Sequence, residues 1–264
     1  MNKPLRGPFR FKCAVRMPAT LPRLFHIVCM ATLAPGFAQH GDATPPWLRG
    51  IDTSHYLGTI DWNAVRASNI TFACTKATEG LSSVDPTFAT NWAGMRAAGI
   101  VRCAYHYALL SESAIGQAKH FVSTVSAHGY RNNSKSLQFM LDLEDSKSGL
   151  GPSAIWQWVQ DFMGEVEKLT GRPGIIYTSY YYWKDTVGNP KNNLNAPLWL
   201  AWYTSPLPKA VPAAWPSGWT FWQYDDNGAA YPGAPGGSVP GINGNVDVDY
   251  FKYSYDTLLK FCFP

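Results

Sequence analysis

Charged side chains are scarce in this chain of 264 residues, only 15% of the total against 46% hydrophobic. That scarcity argues against a disordered or solvating polypeptide and for one that buries a substantial core. Cysteine is rare too, with five in all, and no CxxC pair or His/Cys cluster has metal-ligand spacing. No Gly-rich turn follows the early strand-like segments, which removes the signature of a dinucleotide fold. Internal repeats are absent, and beyond the N-terminal region no apolar run approaches the ~20 residues of a membrane span. No step of this reading requires a metal or an organic cofactor.

Acidic residues are missing altogether from residues 1–38, which carry Lys3, Arg6, Arg10, Lys12, Arg16 and Arg23. The formal charge of +4 belongs to this stretch: without it 16 basic residues face 18 acidic ones, a net −2. No basic patch remains to suggest a nucleic-acid partner. The basic stretch ends at Arg23 and the apolar run LFHIVCMATLAPGFA follows over 24–38. Small residues at Gly36 and Ala38 predict a signal peptide cleaved near Ala38, with Met17 an alternative start. Interrupted by His26 and Pro35, the run is short for an anchor. The expectation is a secreted protein, extracellular or periplasmic, without stable membrane association after cleavage. Cleavage leaves Cys74, Cys103 and Cys262, enough for one disulfide whose pairing the sequence does not choose. Cys74 and Cys103 lie in apolar strand-like runs and read more readily as small buried residues.

Residues 39–49 (QHGDATPPWLR) read as a linker, followed by a single domain over 50–264, expected to be monomeric. Strand-like runs at 70–77, 100–109, 136–144, 172–179, 196–203 and 218–224 alternate at first with helix-like segments at 86–99, 112–129 and 152–171. The last of these has Pro152 and Gly171 as end signals and an apolar face of Ile155, Trp158, Val159, Phe162, Val166 and Leu169. Strand and helix in alternation predict parallel βαβ units, in an open doubly wound sheet or a β/α barrel. Helices thin out after residue 171, so a barrel would be irregular. Aromatic residues make up 14% of the chain, with 11 Trp and 14 Tyr, which suits either a core or a groove that stacks on sugar rings.

Asp142 and Glu144 stand two apart in FMLDLED, so on a strand they face the same side about 6–7 Å apart. Two strand-end acids suit loop capping. They also suit glycoside hydrolysis, where burial and mutual repulsion keep one carboxyl protonated as general acid while its partner stays ionised. Asp52 in GIDTSHYLG and the i, i+2 pair Asp247 and Asp249 in NVDVDYF repeat the pattern in the first and last strand-like segments. In a closed barrel those segments are neighbours, and their acids meet at one mouth.

The segments GIDTSHYLGTIDW (50–62), KATEG (76–80), DPTFATNWAGMRAAG (85–99), AYHYA (104–108), LDLE (141–144), IIYTS (175–179), LWLAWY (198–203), WQYDDNG (222–228) and GINGNVDVDYF (241–251) occur in one order. Together they resemble the family 25 glycoside hydrolases, the Ch-type lysozymes that act as N-acetylmuramidases on peptidoglycan. The resemblance spans roughly residues 50–252. It implies an α/β fold, an irregular TIM-like (β/α) barrel of five βα units followed by extra β-strands. It also implies Glu144 as general acid, with Asp142 either stabilising the transition state or orienting the substrate's N-acetyl group. Asp52 and Asp247 would complete the acidic ring, and Tyr107, Tyr177, Trp202, Trp222, Lys76 and Glu79 would contact substrate. The implied partner is the glycan strand of peptidoglycan. The sequence departs from the family pattern at Leu57, where Gln is common, and at Asp249, where Asn is common. His106 reads as a packed strand residue.

A chitinase-like enzyme is the nearest catalytic rival, but its two further upstream acids would fall on Leu137 and Met140. A non-catalytic carbohydrate-binding protein would be expected to lack the acid or its partner, and both are here.

Overall fold

The computed structural model describes residues 47–131, 135–203, 207–230 and 236–264, so the stretch read as a signal peptide lies outside it. In chain order the elements are β1 (Leu48–Thr53), α1 (Trp62–Ala67), β2 (Ile70–Glu79), β3 (Ser83–Val84), α2 (Phe88–Ala97), β4 (Val101–Tyr107), α3 (Ala114–Ala127), β5 (Met140–Asp142) and α4 (Pro152–Thr170). There follow β6 (Ile175–Ser179), β7 (Leu198–Ala201), β8 (Phe221–Asp225), β9 (Asp247–Phe251) and α5 (Tyr255–Lys260). Strand β1 takes in Leu48 and Arg49, the end of the stretch read as a linker.

The strands run in the order β1-β9-β8-β7-β6-β5-β4-β2, and β1 pairs with β2 to close an eight-stranded barrel. The two-residue β3 is an antiparallel appendix to β2. Neighbours from β1 through β8 are parallel, and β9 alone runs antiparallel to both β8 and β1. The first βα units carry α1 to α4, and the fifth is cut down to a helical turn at Tyr182–Thr186 after β6. Beyond it loops and strands close the barrel, as the thinning of helical signals predicts.

Alternation along the strands builds two cores. Inward residues such as Phe72, Cys74, Cys103, Trp199, Phe221 and Phe251 fill the barrel, while Ile51, Ala73, Ala104, Ile176, Leu200 and Val248 pack outward under the helices. Gly50 is required on the inside, because a Cβ there would lie 2.2 Å from the Phe72 ring. Helix α4 starts with Pro152 in its first turn and stops at Gly171, whose φ of 77° is the left-handed conformation glycine tolerates. Its apolar face is buried as the periodicity predicts except at Leu169, which is 41% exposed in the last turn, where Thr170 is buried instead.

Cys74 and Cys103 sit opposite each other on β2 and β4 and form a disulfide inside the barrel, leaving Cys262 as a buried thiol. Register supplies the pairing that spacing could not. Replacing both by Ser is expected to lower stability by about 3.6 kcal/mol, the loop entropy for a separation of 29 residues, read as a lower urea midpoint with a somewhat steeper slope because the unfolded chain is no longer cross-linked.

Candidate active site

Inward residues at the carboxyl ends of the parallel strands converge on one mouth, the position where barrels of this kind build their sites. β1 brings Asp52, β5 brings Asp142 and, just past its end, Glu144; β9 runs the other way and brings its first residue, Asp247. Asp52 and Asp247 are direct cross-strand partners on neighbouring antiparallel strands. Asp142, Glu144, Asp52 and Asp247 line one recess of about 180 Å³ together with Tyr105, Tyr177, Tyr203 and Gln223. A larger cleft of about 470 Å³ opens from the other side of Asp142 and Glu144, walled by Tyr56, Lys76, Glu79, Tyr107, Leu109 and Lys147. The carboxylate pair therefore stands between two adjoining depressions.

Burial dominates the electrostatics. It pushes the carboxyl of Asp142 well above its ordinary value, repulsion from Glu144 adds to this, and the Lys76 ammonium opposes it. Asp52 is raised in the same way, by burial and then by Asp247 and Asp249, against a hydrogen bond from Gln223. Burial lifts Asp247 to about 6. Glu144 differs in kind: solvent reaches its side chain, yet the enclosing walls still raise its pKa, with Lys76 pulling the other way. Asp142 Oδ1 is buried with no hydrogen-bond partner among the described residues.

Lys76 and Glu79 share the cleft because β2 is bulged. Between Lys76 and Thr78 the register with β4 slips by one, so two residues three apart face the same side. Lys76 Nζ donates to Glu79 at 2.5 Å and lies 4.9 Å over the Tyr107 ring, which holds one cation beside the carboxylate pair. Among the described residues no group of three or more histidine, cysteine or carboxylate side chains is arranged to hold a metal ion.

The sequence model for glycosyl hydrolases family 25 matches residues 51–233, the span that contributes β1 to β8. The chain belongs to family 25. It is a glycoside hydrolase, similar to lysozyme M1 of Streptomyces globisporus, with 34% identity over 227 residues covering 83% of this chain and 72% of the relative. It is also similar to the N,O-diacetylmuramidase of Chalaropsis sp, at 31% identity covering 76% of this chain and 96% of that one. The solved lysozyme of Streptomyces coelicolor superposes with a TM-score of 0.74 at 32% identity, covering 81% of this chain and 96% of the other.

Within this family 25 barrel, most of the expected contact residues do converge. Tyr107, Lys76 and Glu79 line the cleft and Tyr177 lines the recess. Trp202 is half-buried just past β7, with its ring stacked at 15° on the exposed Tyr181. Trp222 does not belong with them. It points outward from β8, is fully buried against the outer core, and donates from Nε1 to the carbonyl of Trp202 at 2.7 Å. It supports the segment that carries Trp202 and meets no groove. His106 also faces outward. Its Nε2 donates to Gln117 Oε1, its Nδ1 accepts from Thr78, and burial lowers its pKa to about 4, so it is a neutral packing residue. Asp249 lies one layer beneath the mouth, opposite Gly50, fully buried with Trp199 Nε1 donating to it at 2.8 Å.

Three site residues escape a reading for acids and tryptophans. Gln223 and Tyr203 line the recess, and Tyr56 overhangs the cleft 84% exposed, its ring against His55, which Asp85 anchors at 2.8 Å. Gln223 lies inside WQYDDNG, one position from the Trp222 that drew attention.

Proposed function

We propose that this family 25 hydrolase is a secreted lysozyme that cleaves the β-1,4 bond between N-acetylmuramic acid and N-acetylglucosamine in peptidoglycan. The observation that carries the reading is the difference in depth between the two carboxyls. Glu144 stands at the opening with solvent at its side chain, while Asp142 is buried beneath it with an unpaired oxygen. A glycosidic oxygen lying across the mouth meets Glu144 first, and burial has already raised that carboxyl toward the protonated state a general acid needs.

Asp142 serves from below. Its free Oδ1 is placed to accept from a sugar N–H or to face the positive charge that develops at the anomeric carbon. Asp52 and Asp247 close the opposite wall, where water would approach the anomeric centre. Lys76 keeps burial from protonating both acids, since it favours the charged form of each. The two depressions flanking the pair suit a chain that continues in both directions, and the muramidase and lysozyme relatives point to a peptidoglycan strand.

The decisive experiment incubates purified protein with peptidoglycan and identifies the new reducing ends. Muramic acid at those ends is expected. Glucosamine ends, or soluble fragments without new reducing ends, would overturn the assignment. The stacked Tyr181–Trp202 pair is read as a platform for a sugar ring. Trp202→Ala is expected to raise KM about tenfold with a smaller change in kcat, the loss of one stacking contact. A drop confined to kcat would place Trp202 elsewhere in the mechanism.

A further inference from the structure

Gln223 is buried at the inner wall of β8, with its amide oxygen and one amide N–H committed to neighbours in the recess. Its Oε1 accepts the hydroxyl of Tyr177 at 2.7 Å and that of Tyr203 at 2.6 Å, and its Nε2 donates to Asp52 Oδ2 at 2.7 Å. An amide oxygen has two lone pairs, and both are occupied. In this orientation the two tyrosine hydroxyls hold the carbonyl and the NH2 group is turned to Asp52.

Locking the amide also orients its neighbour. With Asp52 Oδ2 accepting from Gln223, the oxygen left to share a proton with the cross-strand partner Asp247 is Oδ1. Two carboxyls in contact hold one proton between them. We propose that Gln223 is a positioning residue for the hydrolysis: clamped by Tyr177 and Tyr203, it fixes the rotation of Asp52 and thereby the side on which the Asp52–Asp247 pair presents its proton and its charge to the cleft. Tyr203 is half exposed and belongs to the rim, so the clamp ties the rim of the recess to its floor. The inference rests on the muramidase reading for the reaction it serves but not for its geometry. The other titratable groups that bear on Asp52 are Asp142 from β5, Asp249 from β9 and Tyr105 from β4.

Two variants separate this from a packing role. Gln223→Met keeps the length and removes the amide, and is expected to lower kcat by about 10²-fold with KM changed far less. In Gln223→Glu the introduced carboxyl, while protonated, accepts from the tyrosines with one oxygen and donates to Asp52 with the other. Activity is therefore expected to exceed that of Gln223→Met by about tenfold at low pH and to fall toward it as rising pH ionises the new group. A merely structural residue would show no such rescue. In parallel, carbon-13 NMR titration of the aspartate carboxyls should show the Asp52 and Asp247 steps moved in Gln223→Met. Wild-type kcat in Gln223→Met, Gln223→Glu tracking it at every pH, or unmoved carboxyl titrations would each overturn the clamp. If the wild-type protein releases no muramic ends while the titrations move as expected, the substrate reading fails and the clamp stands.

Discussion

Glu144→Gln is expected to reduce the rate of glycan release by about 10³-fold, within the range general-acid catalysis contributes, while the variant still binds insoluble peptidoglycan. The amide keeps the shape and a hydrogen-bonding end but has no proton to give the leaving oxygen. The loss should fall on kcat, because Glu144 lies on the wall of an open cleft and supports no buried network. Asp142→Asn is the informative companion. It removes a carboxyl that shares the site's protons, so the alkaline limb of the pH profile should move, since the proton is then held by Glu144 alone, favoured by burial and opposed by Lys76. Undiminished release by Glu144→Gln would remove Glu144 from the mechanism and leave Asp142 or the Asp52–Asp247 pair as the proton donor.

The acids of this site were legible because they are charged residues at the ends of strands otherwise apolar, and because several such ends recur along the chain, which loop capping explains singly but not together. Asp142 in MLD and Asp247 in NVDVDYF stand out on that ground alone. Which face a residue takes was not legible from the same strands. Both sides of a helix-covered parallel strand are buried, so hydrophobicity does not reveal parity. Trp222 and Gln223 illustrate this, since the conspicuous residue faces the helices and the inconspicuous amide faces the site. The Lys76–Glu79 pair required a bulge, and the Cys74–Cys103 disulfide required the register between β2 and β4. Neither leaves a trace in spacing. The barrel itself was half legible: alternation announced βα units, but closure through an antiparallel β9 depends on pairing between the two ends of the sheet.

Thermal stability should fall as pH rises from about 5 to 8, opposite to the trend of proteins whose carboxylates are paired with cations. The sign follows from the protons bound. Asp52, Asp142, Glu144, Asp247 and Asp249 all have folded pKa values raised above their unfolded ones, chiefly by burial. Below the unfolded values both states are protonated and no penalty exists. Above them the unfolded chain releases protons that the folded chain retains, so each step in pH favours unfolding until the folded group also ionises. For Asp247 that ends near 6, and for the more deeply buried acids the slope continues upward.

His106 opposes the trend. Burial lowers it to about 4, so it costs stability as pH falls from its ordinary range, by roughly 3 kcal/mol at most. Hydrogen bonds from Thr87 and His55 act likewise on Asp85: burial alone would raise it, but together they outweigh burial and leave it below its usual value. One histidine and one aspartate do not balance five raised carboxyls, so maximal stability is expected on the acid side of neutrality.

Asp249→Asn tests the account one group at a time. Asp249 lies below the reacting layer and, among the described residues, forms no ion pair and leaves Oδ2 without a partner, while Asn retains an oxygen for Trp199 Nε1. The variant should gain on the order of 1–3 kcal/mol at pH 8, little at pH 5, and show a shallower decline between them. Calorimetric melts at the two pH values measure it. An equal shift at both would assign the effect to packing, and a loss at pH 8 would mean that the buried carboxylate has a compensating partner.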